Sequence, residues 1–363
     1  MSRRAPVGAF WPTPSQEALL RLVLGHDDQI ERRWRALQPL DLDSLDPGSF
    51  CLLPLLHTRL SEAQVDGALV DRIAGTYRST WYRNQLGFRC LASAIAALEE
   101  HGVAPIVFGG ASLAGRFYTQ PGHRPVPQLD VLVRPARSTE ARDVLLRTGE
   151  WRLQQDRADY VRLENQDHIV LVLHRGLPAF LAGAAGPDTG LARLRPRSQS
   201  ADIDTVSATV LSPADEVVVA CGLGARTKTP PSIQWLLDTA AVLASGACQP
   251  SELPPAAAAL KLTLAVGSSL DYLDRVQERG DLESFRASFR ALPKPGRHER
   301  AAYRLGGVEG PLGGGAQRLA SFARVTADAS LAETLTVASS AARGAWKRRR
   351  RPAVPSVRTK TGS

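Results

Sequence analysis

Phe108-Gly109-Gly110-Ala111-Ser112 and Gln128-Leu129-Asp130-Val131-Leu132-Val133 are the stretches on which the reading of this chain turns. The apolar run from Val103 to Phe108 has the length of a buried strand. Gly109-Gly110 then turns the chain, and Ala111 to Tyr118 reads as a helix. Pro121, Gly122, Pro125 and Pro127 punctuate a loop from Thr119 to Pro127. Leu129 to Val133 is a second strand. Residues two apart on a strand share a face, so Gln128 and Asp130 point the same way.

Working outward, Ser138 to Gly149 reads as a helix. Tyr160 to Leu163 and Ile169 to Leu173 read as strands joined by a turn at Glu164 to His168, and Arg175 to Ser200 as irregular. Upstream, residues 15–38 carry apolar positions at helical spacing and predict one or two helices. Pro39 to Gly48 is a break and Phe50 to Leu60 a short apolar helix. Residues 64–101 are a long helical stretch, with Gly75 and Gly87 as candidate interruptions and Gly102 as its C-cap. Downstream, Ser212-Pro213-Ala214-Asp215 supplies an N-cap, a proline at the first position and an early acid. Further helices are expected at 232–245 and 256–278, a loop at Gly296 to Gly315, and an alanine-rich helix at 316–346. The expected fold class is α+β. A helical region over 1–102 precedes a small mixed-sheet core over 103–200. A helical region over 201–346 and a basic disordered tail over 347–363 follow.

An apolar fraction of 44% and a charged fraction of 22% are those of a globular protein. No apolar run has the length needed to cross a bilayer. Met1-Ser2-Arg3-Arg4 is followed by prolines rather than an apolar signal core, so the expected location is cytoplasmic. Cys51, Cys90, Cys221 and Cys248 have no metal-site or redox spacing. The net charge is +9, but residues 334–363 hold eight Lys and Arg and no acid. The remaining chain is nearly neutral. The tail is suited to an anionic surface or to solvent. A nucleic-acid reader is the weakest class, because such proteins carry basic groups on their folded surface.

A glycine turn opening a helix lets backbone N–H groups approach an anion closely, as a phosphate cradle requires. Gly109, Gly110 and Ser112 are the candidates. Carboxylates at i and i+2 on a neighbouring strand would flank a metal ion; here the pair is Gln128 and Asp130. Arg124 and Arg175 are candidates for bidentate phosphate contacts. His174 either caps its strand or lines the site. Asp238, after Trp235, reads as a residue fixing its helix to the core.

Across residues 50–245 the sequence resembles an uncharacterised nucleotidyltransferase family found as accessory genes in bacterial natural-product and surface-polysaccharide clusters. The resemblance rests on Leu53-Pro54-Leu55-Leu56, Gly109-Gly110-Ala111-Ser112-Leu113-Ala114 with Phe117-Tyr118, and Pro121-Gly122-His123-Arg124-Pro125. It continues through Leu129-Asp130-Val131-Leu132-Val133, Leu173-His174-Arg175, Leu211-Ser212-Pro213-Ala214-Asp215 and Trp235-Leu236-Leu237-Asp238. It implies a polymerase-β-like core, an NTP substrate, Mg²⁺ and an acceptor that is a small molecule, sugar or peptide. Asp130 would hold the metal, His174 would assist, and Gly109, Gly110, Ser112, Arg124 and Arg175 would hold the nucleotide.

Four departures accompany the resemblance. Gly109 replaces a lysine. Gln128 and Val172 replace two of three metal-directed acids, and the usual histidine after the helix beginning at Pro213 is absent. Glu164 is the candidate replacement acid, with Gln128 offering at most a carbonyl oxygen. Two readings follow: nucleotidyl transfer impaired by the lost acids, or a pseudoenzyme that binds a nucleotide, peptide or partner enzyme.

Overall fold

The computed structural model describes residues 10–182, 186–225, 232–278 and 280–306. The helix expected at 316–346 and the basic tail lie outside them. Among the described residues, seven strands form one mixed sheet in the order β3-β4-β5-β2-β1-β7-β6. The strands are β1 (Ile106–Phe108), β2 (Leu129–Val133), β3 (Arg152–Asp156), β4 (Tyr160–Glu164), β5 (Val170–Arg175), β6 (Gln199–Ile203) and β7 (Val206–Val210). Helices α1 (Pro14–Leu24), α2 (Ile30–Ala36), α3 (Pro47–Phe50), α4 (Leu53–Glu62) and α5 (Ala68–Glu100) precede the sheet. Between its strands come α6 (Gly110–Phe117), α7 (Ser138–Arg147), α8 (Ala179–Ala182) and α9 (Gly186–Leu194). After it come α10 (Pro213–Gly224), α11 (Gln234–Ala244), α12 (Leu253–Ala259), α13 (Thr263–Gln277), α14 (Glu283–Arg290) and α15 (Arg297–Gly306). The observed class is mixed α and β, as expected.

Alternation along the central strands divides the core in two. Val107, Leu129, Val131 and Val133 pack with Phe88, Leu91, Ala94, Ile95 and Leu98 of α5 and with Val144 and Leu145 of α7. Ile106, Phe108 and Leu132 point the other way and join the larger core built by the N- and C-terminal helices. The site grows on this second face. Helix α5 runs through Gly75 and Gly87 without a break. A methyl group at Gly87 would meet the Leu129 side chain at 3.6 Å, so the glycine lies where the helix crosses β2. Gly102, at φ +69°, ends the helix, with the Gly102 and Val103 amides donating to the Glu99 and Leu98 carbonyls.

Several elements depart from the expected pattern. The segment read as irregular after Arg175 contains α8 and α9, and it ends in β6. The boundary expected at residue 200 therefore falls inside β6, and the β6–β7 hairpin belongs to the sheet through a parallel contact of Val107 with Val210. Strand β3 was not expected either. Its five residues are all exposed on a sheet edge, so no apolar alternation marks it. Residues 297–306, expected as loop, form α15.

Candidate functional site

Asp130 lies at the centre of the sheet. It is in register with Phe108 on the antiparallel strand β1 and with Val172 on the parallel strand β5. Its Oδ1 accepts two hydrogen bonds, from Gln128 Nε2 at 2.7 Å and from His174 Nε2 at 2.9 Å. The imidazole rests edge-on against the Phe108 ring, with centroids 5.2 Å apart. Gln128, Asp130 and His174 thus form one cluster, and all three line a cavity of about 510 Å³ with Gly109 and Gly110.

The glycine pair is required by geometry. Gly109 has φ +62° and ψ −132°, a conformation that L-residues avoid. A β-carbon there would point at Asp130 Oδ2, 3.9 Å away. One on Gly110 would meet Arg124 Nη1 at 2.9 Å. Between them they let the start of α6 approach the cavity with its first amides unpaired within the helix. The Leu113 amide makes the first helical bond, to the Gly109 carbonyl.

Ser112, Arg175 and Glu164 do not line that cavity, and Arg124 lines it with its guanidinium already paired. Ser112 is fully buried, and its Oγ accepts from Arg116 Nη1 at 3.0 Å. Arg124 is committed to Asp238: its Nε and Nη2 donate to the two carboxylate oxygens at 2.9 and 2.8 Å, and its Nη1 donates to the Pro125 carbonyl. Burial works to lower the Arg124 pKa, but the Asp238 charge outweighs it and the pKa rises. The same carboxylate accepts from the Tyr118 hydroxyl at 2.8 Å, and burial followed by that charge pushes the phenol pKa well up. Arg175 is held by Asp156 on β3, away from the cavity. Glu164 sits at the β4–β5 turn and bonds His168 Nδ1 at 2.7 Å. The β4 residue in register with Val172, and through it with Asp130, is Arg162, so Glu164 lies two residues further along the strand.

The acid that sequence reasoning missed is Glu216. It lies on α10, fully buried under the glycine turn, and its Oε2 accepts from the Gly109 amide at 3.1 Å. Arg116 Nη1 is 3.8 Å from the other oxygen. Burial pushes its pKa up to about 7, against the pull of Ser112, Arg116 and the Gly109 amide. A signal was available: Glu216 is a carboxylate leading directly into the apolar run Val217-Val218-Val219-Ala220, where a charge is costly. Its neighbour Asp215 reads from the sequence as the helix-start acid. That residue is indeed capped by Ser212 and paired with Arg197 at 2.7 Å.

The donor set does not fit a two-metal centre. Asp130 is the one carboxylate on the strand cluster, its Oδ1 is occupied by two donors, and Val172 faces it across the ladder. Among the described residues, no group of three His, Cys, Asp or Glu is placed to hold a metal ion. Nor is any helix there long and apolar enough to cross a membrane.

No curated protein matches this sequence. Among solved structures, the antibiotic-resistance factor ANT(2'')-Ia is similar at 13% identity and a TM-score of 0.38, over 52% of this chain and 98% of that one. An antigenic nucleotidyltransferase-like protein from Paracoccidioides brasiliensis is similar at 13% identity and a TM-score of 0.38, over 57% and 94%. The profile of the uncharacterised nucleotidyltransferases matches residues 51–277, which takes in the glycine turn, Asp130, His174 and Glu216. The chain belongs to that nucleotidyltransferase family.

Proposed function

We propose that this protein binds a nucleotide in the Asp130 cavity and has lost the two-metal transfer chemistry of its fold. The observation that carries the reading is the Asp130 carboxylate: one oxygen is tied by Gln128 and His174, and Val172 stands in register beside it. Two ions that clamp the attacking and leaving oxygens need shared carboxylates, and the cluster supplies one. A single Mg²⁺ carried in on phosphates needs only one or two protein carboxylates, and Asp130 Oδ2 suits that lesser role. The phosphates would lie against the Gly109–Gly110 turn. The natural role is then that of a nucleotide-responsive partner for a biosynthetic enzyme or peptide, in place of transfer to a sugar or small molecule. Four free cysteines suit a reducing, cytoplasmic compartment.

Calorimetric titration with each of ATP, GTP, CTP and UTP, with and without Mg²⁺, tests the binding. Transfer of an α-phosphate label tests the chemistry. The expected result is saturable Mg²⁺-dependent binding of one or more nucleotides, abolished in Asp130→Ala, with no label transferred and no pyrophosphate released. Pyrophosphate release that disappears in Asp130→Ala would restore the enzyme reading. Absence of binding to all four nucleotides would end the nucleotide reading.

A further inference from the structure

A second cavity, of about 740 Å³, lies beside the first across a wall formed by Arg124, Pro127, Ser232 and Gln234. It runs on into a shallower one of about 620 Å³, with Pro47, Cys51, Ser79, Thr80 and Pro125 common to both. These volumes are in the range that holds small organic ligands. The two compartments differ in charge. The first is lined by Asp130, Asp159, Glu216 and Asp238. The second has no Asp or Glu among its described lining residues.

The lining of the second cavity has two parts. One is apolar: Pro47, Pro125, Val126 and Pro127, with the Phe50 ring 47% exposed at the shallow end. The other lies on α5. Ser79 and Thr80 carry hydroxyls without a hydrogen-bond partner among the described residues. Arg83, one turn on, makes a single long bond of 3.5 Å to the His168 carbonyl. The other cations on the lining are taken, Arg124 by Asp238 and Arg72 by Asp43. Asn84 is taken too, bridging the Pro121 and Arg124 carbonyls and the Val126 amide.

We propose that this cavity is a binding site for a small carboxylic acid with an aromatic or aliphatic body. The acid group meets Arg83, Ser79 and Thr80, and the body lies on the proline wall and Phe50. A guanidinium and two adjacent hydroxyls present donors and no acceptor charge, which suits a carboxylate. An amine finds no counter-charge there. The site stands independently of the nucleotide reading, because none of its α5 residues lines the Asp130 cavity.

Calorimetry on the full chain without nucleotide tests the site, using 4-phenylbutyrate, its neutral amide and 4-phenylbutylamine as probes of one shape and three charges. Saturable binding is expected for the carboxylate, about tenfold weaker binding for the amide and none for the amine. Arg83→Gln, a change at an exposed side chain, is expected to bring the carboxylate down to the level of the amide and to leave the amide unchanged. Phe50→Ala is expected to weaken both alike. The proposal is overturned if the amine binds as well as the carboxylate, if Arg83→Gln has no effect, or if no probe saturates at millimolar concentration. Because nucleotide is absent throughout, failure of the nucleotide reading leaves this result interpretable.

Discussion

Replacing Glu216 by glutamine should flatten the dependence of stability on pH. In the native protein this carboxyl is fully buried, and its pKa is pushed from 4.5 up to about 7. The folded state therefore holds a proton that the unfolded state releases from about pH 4.5 upward. The sign follows directly: stability from this group falls as pH rises through that window, and the loss is complete above about 7. At about 1.4 kcal/mol per pH unit, the full loss is about 3 kcal/mol. Between pH 5 and pH 8 about 2–3 kcal/mol of it is expressed, since some of the unfolded chain is already ionised at pH 5. Glutamine keeps an oxygen for the Gly109 amide and cannot ionise. Urea denaturation of both proteins at pH 5, 6, 7 and 8 measures the effect. The difference between wild type and Glu216→Gln should shift by about 2–3 kcal/mol in favour of the variant across the series. Parallel profiles would refute the reasoning, because they would mean that the buried carboxyl does not titrate between these pH values.

Three further outcomes follow from the same geometry. Arg124→Ala strands the buried Asp238 carboxylate and should cost about 3–5 kcal/mol in urea denaturation; a loss below about 1 kcal/mol would show that the pair is not desolvated as described. Gly109→Ala forces an L-residue into φ +62° and ψ −132°, with an expected loss of about 1–3 kcal/mol by denaturation and weakened ATP binding by calorimetry. Gln128→Glu replaces the donor to Asp130 with a second carboxylate. Its melting temperature should fall in EDTA and recover with Mg²⁺, while that of the wild type stays the same in both, as followed by circular dichroism.

The fold was legible where burial was complete. The two central strands and the glycine turn announce themselves through apolar runs and through residues that only a turn tolerates, and the C-terminal half of the long helix before them through its buried stripe from Phe88 to Leu98. The rim was not. Strand β3 has no buried residue, and β6 has one, so neither has a face that alternates. The site divided along the same line. Asp130, Gln128, His174, Gly109 and Gly110 come together because strand periodicity and one turn position them. The arginines could not be assigned from sequence. Whether Arg124 faces a phosphate or Asp238 depends on a helix more than a hundred residues away. Glu216 reaches the turn from a distance just as great.

The register of β2 with β5 carries a consequence for how many acids the site can hold. Asp130 and Val172 sit on adjacent parallel strands, directly paired. Neighbouring strands are about 4.8 Å apart, so an acid introduced at 172 would stand beside Asp130 with no movement of the main chain. Gln128 already touches that carboxylate. Both positions where the sequence departs from the expected acids therefore flank Asp130 directly, and changing them asks for new side chains on an unchanged backbone. At this point of the sheet the number of carboxylates is set by side chains alone, and the architecture is indifferent to it.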